Sequence, residues 1–346
     1  MKKILLGILA IAAMTSCMKE QVLSQQAPAT IKFANSFVEG VGRAAVDPST
    51  TTQSITAFDV WGFMDKNTGV VFNAERVSRA DENSEWAYTN IAYWAPSHHY
   101  YFAALSPVDN DKIKLTLADN GNYMTTAGLG TVAFENVDGT CDLLYAEADV
   151  ITEAKIEAKP APVKLQFAHL LSKVKFTFTN GFSSEFNTLE VKNIKMVAPA
   201  VGTIDLTQDT FLWNVQEGAK TVELLFGDMT DANGASQIAV TKKGECANER
   251  LTIPVATTAN LESVYDVYFD VVLYQGTEVA YEGTKKTTVK GTTLEAGKKY
   301  NFTATLNHKN VGDNALYPIE FEVEVDEWVD GGIFDGGVIT TETVKP

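Results

Sequence analysis

Residues 163–178, VKLQFAHLLSKVKFTF, constrain this chain more than any other stretch. Val163, Leu165 and Phe167 alternate with polar neighbours, and Val174, Phe176 and Phe178 do so again beyond the compact centre 169–172. A period of two places each apolar set on one face of an extended strand, which is the signature of a half-buried sheet. Short strand-like runs recur along the chain, at 31–38, 55–63, 70–72, 113–117, 143–145 and 151–157, with 86–94 rich in aromatic residues and 100–105 reading as a buried strand. Beyond 185 they continue at 189–198, 203–206, 222–226, 237–240, 251–255, 264–274, 278–281, 287–289, 300–306 and 319–325. Turn residues separate them at regular intervals. Such a pattern predicts an all-β chain of two antiparallel sandwich-like domains rather than an α/β enzyme.

Length agrees with two domains, since 346 residues with 45% hydrophobic content can bury two cores. Pro160 and Pro162 interrupt any ladder, so the boundary is expected within 158–185, dividing the chain into domains at 44–165 and 166–330. The 28 Lys and Arg residues against 44 Asp and Glu give a formal charge of -16. A polyanionic backbone would be repelled by that field, so nucleic acid is excluded as a partner.

The first 17 residues read as a targeting segment. Lys2 and Lys3 precede an apolar run at 4–14, and Thr15 and Ser16 lead to Cys17. That run is too short to span a bilayer, which takes about 20 helical residues. Residues 18–43 read as a polar tether followed by a strand in which Ile31, Phe33 and, after a slip, Phe37 are the apolar contacts. Gly40 and Gly42 then flank the approach to Arg43 and Ala44, and polar residues fill 50–54, which makes the Arg43–Ala44 bond accessible to a protease. Loss of the 31–38 strand would leave an open sheet edge whose unpaired backbone groups another chain could satisfy.

Three further sets of residues carry a resemblance. Phe167, His169, Leu170, Leu171, Lys173 and Val174 form the first; Gly297, Lys298, Lys299 and Tyr300 with Phe302, Ala304 and Leu306 form the second. Ile319, Phe321, Val323 and Val325, followed by Trp328, form the third. With the lipobox-like start at Cys17, they resemble, in order, the fimbrillin-like proteins of Bacteroides-type bacteria. The resemblance implies two transthyretin-like β domains, in a structural subunit of a surface fimbria that supports adhesion. It implies export as an outer-membrane lipoprotein precursor, with diacylglycerol and palmitate-type acylation on Cys17, and cutting after an arginine by a trypsin-like protease. It also implies assembly with other fimbrial subunits when a strand of one fills the groove of the next. Residues 331–346 are the candidate donor, through Ile333, Phe334, Val338, Ile339 and Val344, although the same tail could fold back on its own domain. Stalk, tip and anchor roles all stay open.

No enzyme, cofactor or metal is expected. His98, His99, His169 and His308 form no metal-ligand triplet, and His169 would need Ser172 and a carboxylate to converge on it before acting as a base. Gly128 and Gly130 lack the context of a phosphate loop, and Cys141 and Cys246 are expected to stay unpaired. The competing class is a surface-anchored lipoprotein that binds a glycan or solute, for which Trp86, Tyr88, Tyr93 and Trp94 are the aromatic cluster.

Overall fold

The computed structural model describes residues 29–34, 37–38, 55–65, 69–81, 83–118, 128–153, 156, 160–208, 210–255, 265–289, 293–313, 315–328 and 337–338. No α-helix occurs among them. In chain order the strands are β1 (Phe37–Val38), β2 (Ala57–Met64), β3 (Gly69–Ser78), β4 (His99–Ser106), β5 (Ile113–Leu117), β6 (Gly130–Glu135), β7 (Leu144–Ile151), β8 (Gln166–His169) and β9 (Ser172–Asn180). There follow β10 (Asn187–Pro199), β11 (Val201–Asp205), β12 (Trp213–Asn214), β13 (Thr221–Gly227), β14 (Met229–Thr230), β15 (Ile238–Ala239), β16 (Lys243–Cys246) and β17 (Arg250–Thr252). The last are β18 (Tyr265–Gln275), β19 (Glu278–Val289), β20 (Lys298–Leu306), β21 (Glu322–Glu327) and β22 (Gly337–Val338).

Four sheets result. The first has the order β1-β8-β7-β4-β2-β3, and the second β12-β11-β6-β5. The third runs β13-β10-β18-β19, with β15 also on β10, and the fourth β14-β16-β9-β20-β21-β22, with β17 also on β9. Period-two burial explains the stacking. Phe176 and Phe178 of β9 and Phe302 of β20 meet Ile194 and Met196 of β10 and Val267 and Phe269 of β18 in one core between the third and fourth sheets. In the other half, Trp61, Phe63, Ala103 and Leu105 face Val132, Phe134 and Ile204 between the first and second sheets.

The first sheet is buried on both faces. Phe58 and Val60 of β2 and Phe102 and Ala104 of β4 point away from the second sheet into a further core with Ile31, Phe33, Val163 and Leu165. This is why 100–106 is almost wholly apolar, as strands covered on both faces are. The 163–178 stretch threads all three cores: Val163, Leu165 and Phe167 lie in the outer one, Leu170 and Leu171 in the middle one, and Val174, Phe176 and Phe178 in the last. It closes the first pair of sheets and opens the second.

Several expectations change. Among the described residues, pairing is antiparallel except for β9 with β20, β1 with β8 and the bridge Phe33–Val163, which are parallel; partners so distant in sequence have ample chain for a crossover, and strand periodicity carries no pairing direction. The run at 86–94 is no strand but an extended segment with isolated bridges at Ala87 and Tyr93, bent where Thr89 and Asn90 turn their amides to Glu75. The runs at 278–281 and 287–289 join into β19, whose intervening Thr and Lys residues are tolerated because, among the strands, it pairs with β18 alone. Among the described residues, the strand expected at 31–38 takes the form of the bridges Thr30–Tyr93 and Phe33–Val163 and the two residues of β1. Chain order also places β11 and β12 within 166–330, yet β11 pairs with β6 of the first half.

Candidate functional site

The N-terminal segment lies in a groove of the outer core with a backbone wall on each side. Along one wall the Ile31 amide donates to the Ala92 carbonyl at 2.9 Å and the Trp94 amide to the Ala29 carbonyl at 2.9 Å. Along the other, the Ala34 amide donates to the Val163 carbonyl at 2.8 Å and the Val163 amide to the Lys32 carbonyl at 2.7 Å. Farther on, Phe37 and Val38 continue in parallel register with Gln166 and Phe167 of β8. Every second residue points down: Ala29, Ile31 and Phe33 are buried, Ile31 completely. Phe33 sits in a cage of rings, with centroids at 5.6 Å to Phe58, 5.9 Å to Phe72, 5.9 Å to Tyr88 and 6.2 Å to Phe102. Edge-to-face pairs at these distances add to the gain from burial alone.

Glycine and carboxylate shape that groove. At Gly62 of β2 a Cβ would stand 2.8 Å from Phe72 and 3.2 Å from Phe102, so only hydrogen at this position lets the two rings close on Phe33. Glu75 of β3, buried, fastens the 86–94 wall from behind. Its Oε1 accepts the amides of Thr89 at 2.8 Å and Asn90 at 3.0 Å, and its Oε2 accepts the Asn90 side chain. Burial alone would raise the Glu75 carboxyl, but these hydrogen bonds outweigh it and hold the group below the ordinary glutamate value. Tyr88 closes the set by donating its hydroxyl to the Ile31 carbonyl. Burial pushes its phenol up, so the proton stays on the oxygen that donates it.

A family model described as fimbrillin-like matches residues 43–328. The chain belongs to the fimbrillin-like family. Among solved structures, this fimbrillin-like chain is similar to a fimbrial protein from Bacteroides vulgatus, with a TM-score of 0.59, 15% identity, and coverage of 87% of this chain and 99% of that one. It is similar also to a candidate cell adhesion protein from Bacteroides ovatus, with a TM-score of 0.52, 13% identity, and coverage of 87% and 98%. At such identities the likeness is one of fold. No curated protein sequence matches.

The other expected site residues of this fimbrillin-like chain divide clearly. Cys17, Arg43, Ala44, Ile333, Phe334, Ile339 and Val344 lie outside the described residues, as do the side chains of Phe37 and Val338. Val338 is described through its backbone: β22 adds to the edge strand β21, with Val338 opposite Glu324 and Gly337 opposite Val325. Part of the candidate donor therefore rests on its own domain. Trp328, at the root of that tail, is buried; its ring stacks on His169 at 3.5 Å, with the Lys173 ammonium 4.3 Å from the ring centroid.

The residues weighed for catalysis make structural bonds. His169 holds Asp142 through Nδ1 at 2.9 Å, and the Ser172 hydroxyl donates to the Glu295 carbonyl at 2.7 Å. His98 pairs with Asp65, and the Tyr101 hydroxyl lies 2.8 Å from His99 Nδ1. Among the described residues, no three His, Cys, Asp or Glu side chains gather as a metal site. Cys141 and Cys246 are both free thiols. The aromatic cluster expected as a sugar platform is divided by the groove wall, where Trp86, Tyr88 and Trp94 pack on the outer core while Tyr93 is exposed.

Two groove residues escaped the sequence reading. Glu75 stands among polar neighbours and reads as solvated surface, but the positive φ of Ala74 at 53° and the shifted register opposite Val60–Gly62 redirect the strand there. Gly62 reads as a weak point in a strand, although a glycine inside a strand also marks a close approach, which is its role here.

Proposed function

We propose that this chain is a structural subunit of a cell-surface fimbria that supports adhesion, activated by removal of its N-terminal strand. In this reading it is exported as a precursor, anchored in the outer membrane by acylation of Cys17, and cut after Arg43 by a trypsin-like protease. The observation that carries it is the seating of Ile31 and Phe33: two buried apolar side chains held between two hydrogen-bonding walls, on a segment that lies just upstream of Arg43. Departure of that segment would expose the Phe33 ring cage together with the amides of Trp94 and Val163 and the carbonyls of Ala92 and Val163. An extended strand from another subunit satisfies both demands at once, with backbone groups for the walls and alternate side chains for the sockets. The tail at 331–346 is the proposed donor to a neighbouring subunit, once its β22 contact with β21 is released. Residues 44–165 and 166–330 are proposed as the two domains, with β11 of the second reaching back to β6.

Incubating the purified precursor with an arginine-specific protease beside the partner subunits of its fimbria, sequencing the new N-terminus and following polymers by electron microscopy tests the reading. A start at Ala44 with ordered polymers, and neither from Arg43→Ala, is the expected result. Ordered polymers from uncut Arg43→Ala would remove the processing step. Metabolic acyl labelling of the wild type beside Cys17→Ala tests the anchor, and equal labelling of both would refute it.

A further inference from the structure

The groove is more selective than an open sheet edge. Its three buried occupants, Ala29, Ile31 and Phe33, are a small, an aliphatic and an aromatic residue at successive alternate positions, while Lys32 between them is exposed. Direction is fixed as well. The segment is antiparallel to the wall at Tyr93 and parallel to the one at Val163, so an occupant entering the other way would have to pair with both walls in the opposite sense.

We infer that the vacated groove selects a strand of the form small-x-aliphatic-x-aromatic, running parallel to β8, and that a subunit other than a second copy of this chain supplies it. The inference rests on the strand-exchange reading above and names the partner which that reading leaves open. Its ground is the spacing of the tail. Sockets two residues apart need two large apolar side chains two residues apart, and residues 331–346 contain no such pair. Phe334 has Gly332 and Gly336 at those positions, Ile333 has Gly331 and Asp335, and Val338 has Gly336 and Thr340. Ile339 is flanked at the same spacing by Gly337 and Thr341, and Val344 by Glu342 and Pro346. Seating Phe334 where Phe33 lies would lay Gly332 over the Ile31 socket and leave it empty. An emptied aliphatic socket weakens binding by roughly a hundredfold. The tail therefore fits some groove other than the one its own chain opens.

The test uses the full chain with the recognition sequence of a site-specific protease in place of residues 45–50, so that cutting does not depend on Arg43. After cutting, a fluorescent peptide of residues 29–38 is exchanged into the groove and competed with unlabelled peptides. The expected result is that peptide 331–346 competes at least about a hundredfold less well than peptide 29–38. Gly332→Ile in the tail peptide should recover at least tenfold of this, and Phe33→Ala in peptide 29–38 should lose about a hundredfold or more. Competition by the unaltered tail within threefold of peptide 29–38, or no gain from Gly332→Ile, overturns the inference while leaving strand exchange standing. Failure of every peptide to enter a cut chain that keeps its β circular dichroism overturns strand exchange itself, and the inference with it.

Discussion

Replacing Phe33 by alanine in the intact precursor should detach one strand rather than unfold the protein. The ring is buried and touches the cage of Phe58, Phe72, Tyr88 and Phe102. An aromatic side chain of this kind buries about 150–250 Å², which at about 25 cal/mol per Å² is roughly 4–6 kcal/mol as an upper figure. Measured Phe→Ala changes in cores fall at about 3–5 kcal/mol. Taking about 4 kcal/mol, and about 1.4 kcal/mol per decade, the opening equilibrium of the segment rises roughly a thousandfold. Four amides report it directly: Ile31, Ala34, Trp94 and Val163, each of which donates across the groove. Native-state hydrogen exchange should show all four accelerating by about that factor, up to the limit set by global unfolding. The amides of Tyr300 and Phe302 in β20, in the far core, should hold their rates. Unchanged rates at the four groove amides would show that Phe33 does not hold the segment. Equal acceleration in β20 would show that the segment is no separable unit.

Three further outcomes follow from the same geometry. Glu75→Ala removes the acceptor of three hydrogen bonds and should free the 86–94 wall at a cost of about 2 kcal/mol, seen as new proteolytic cuts within 86–94. Because the folded Glu75 carboxyl lies below its ordinary value of 4.5, its contribution is present above that value and is lost as pH falls through the folded pKa; the wall should thus be equally protected at pH 7 and pH 5.5 and loosen only below about 4.5. Trp328→Ala empties a buried site against His169 and should lower stability in denaturant unfolding by about 3–5 kcal/mol. With Cys17 replaced by serine, both remaining thiols should react with an aromatic disulfide reagent at pH 8 more slowly in the folded chain than in the denatured one, since burial pushes Cys141 up to about 11 and raises Cys246 too.

What could be read from the sequence was whatever has a local period. The alternation at 163–178 and 300–306 places those strands and their buried faces, the continuous apolar run at 100–105 marks a strand buried on both faces, and alternation also singles out Ile31 and Phe33. Trp328, which ends the third set of residues carrying the resemblance, is buried. What the period cannot carry is the partner. The parallel match of β9 with β20, and the return of β11 to β6, depend on contacts between distant segments. Glu75 shows the same limit at a single side chain, since its polar setting in sequence says surface while its three hydrogen bonds come from residues more than a dozen positions away. The 86–94 run misled for a related reason: its aromatics are those of a strand, but backbone capture by a carboxylate bends it into a wall.

The central claim is that the N-terminal segment must leave its groove before the chain assembles, and a reversible tether tests it most directly. Thr30 and Tyr93 face each other in an antiparallel bridge, a placement that suits an engineered disulfide. The double variant Thr30→Cys with Tyr93→Cys, oxidised, cut after Arg43 and mixed with the partner subunits of its fimbria, should stay out of polymers by light scattering, and should join them at the wild-type rate once a reductant opens the tether. Polymerisation of the oxidised, cut variant as fast as the wild type would contradict the account.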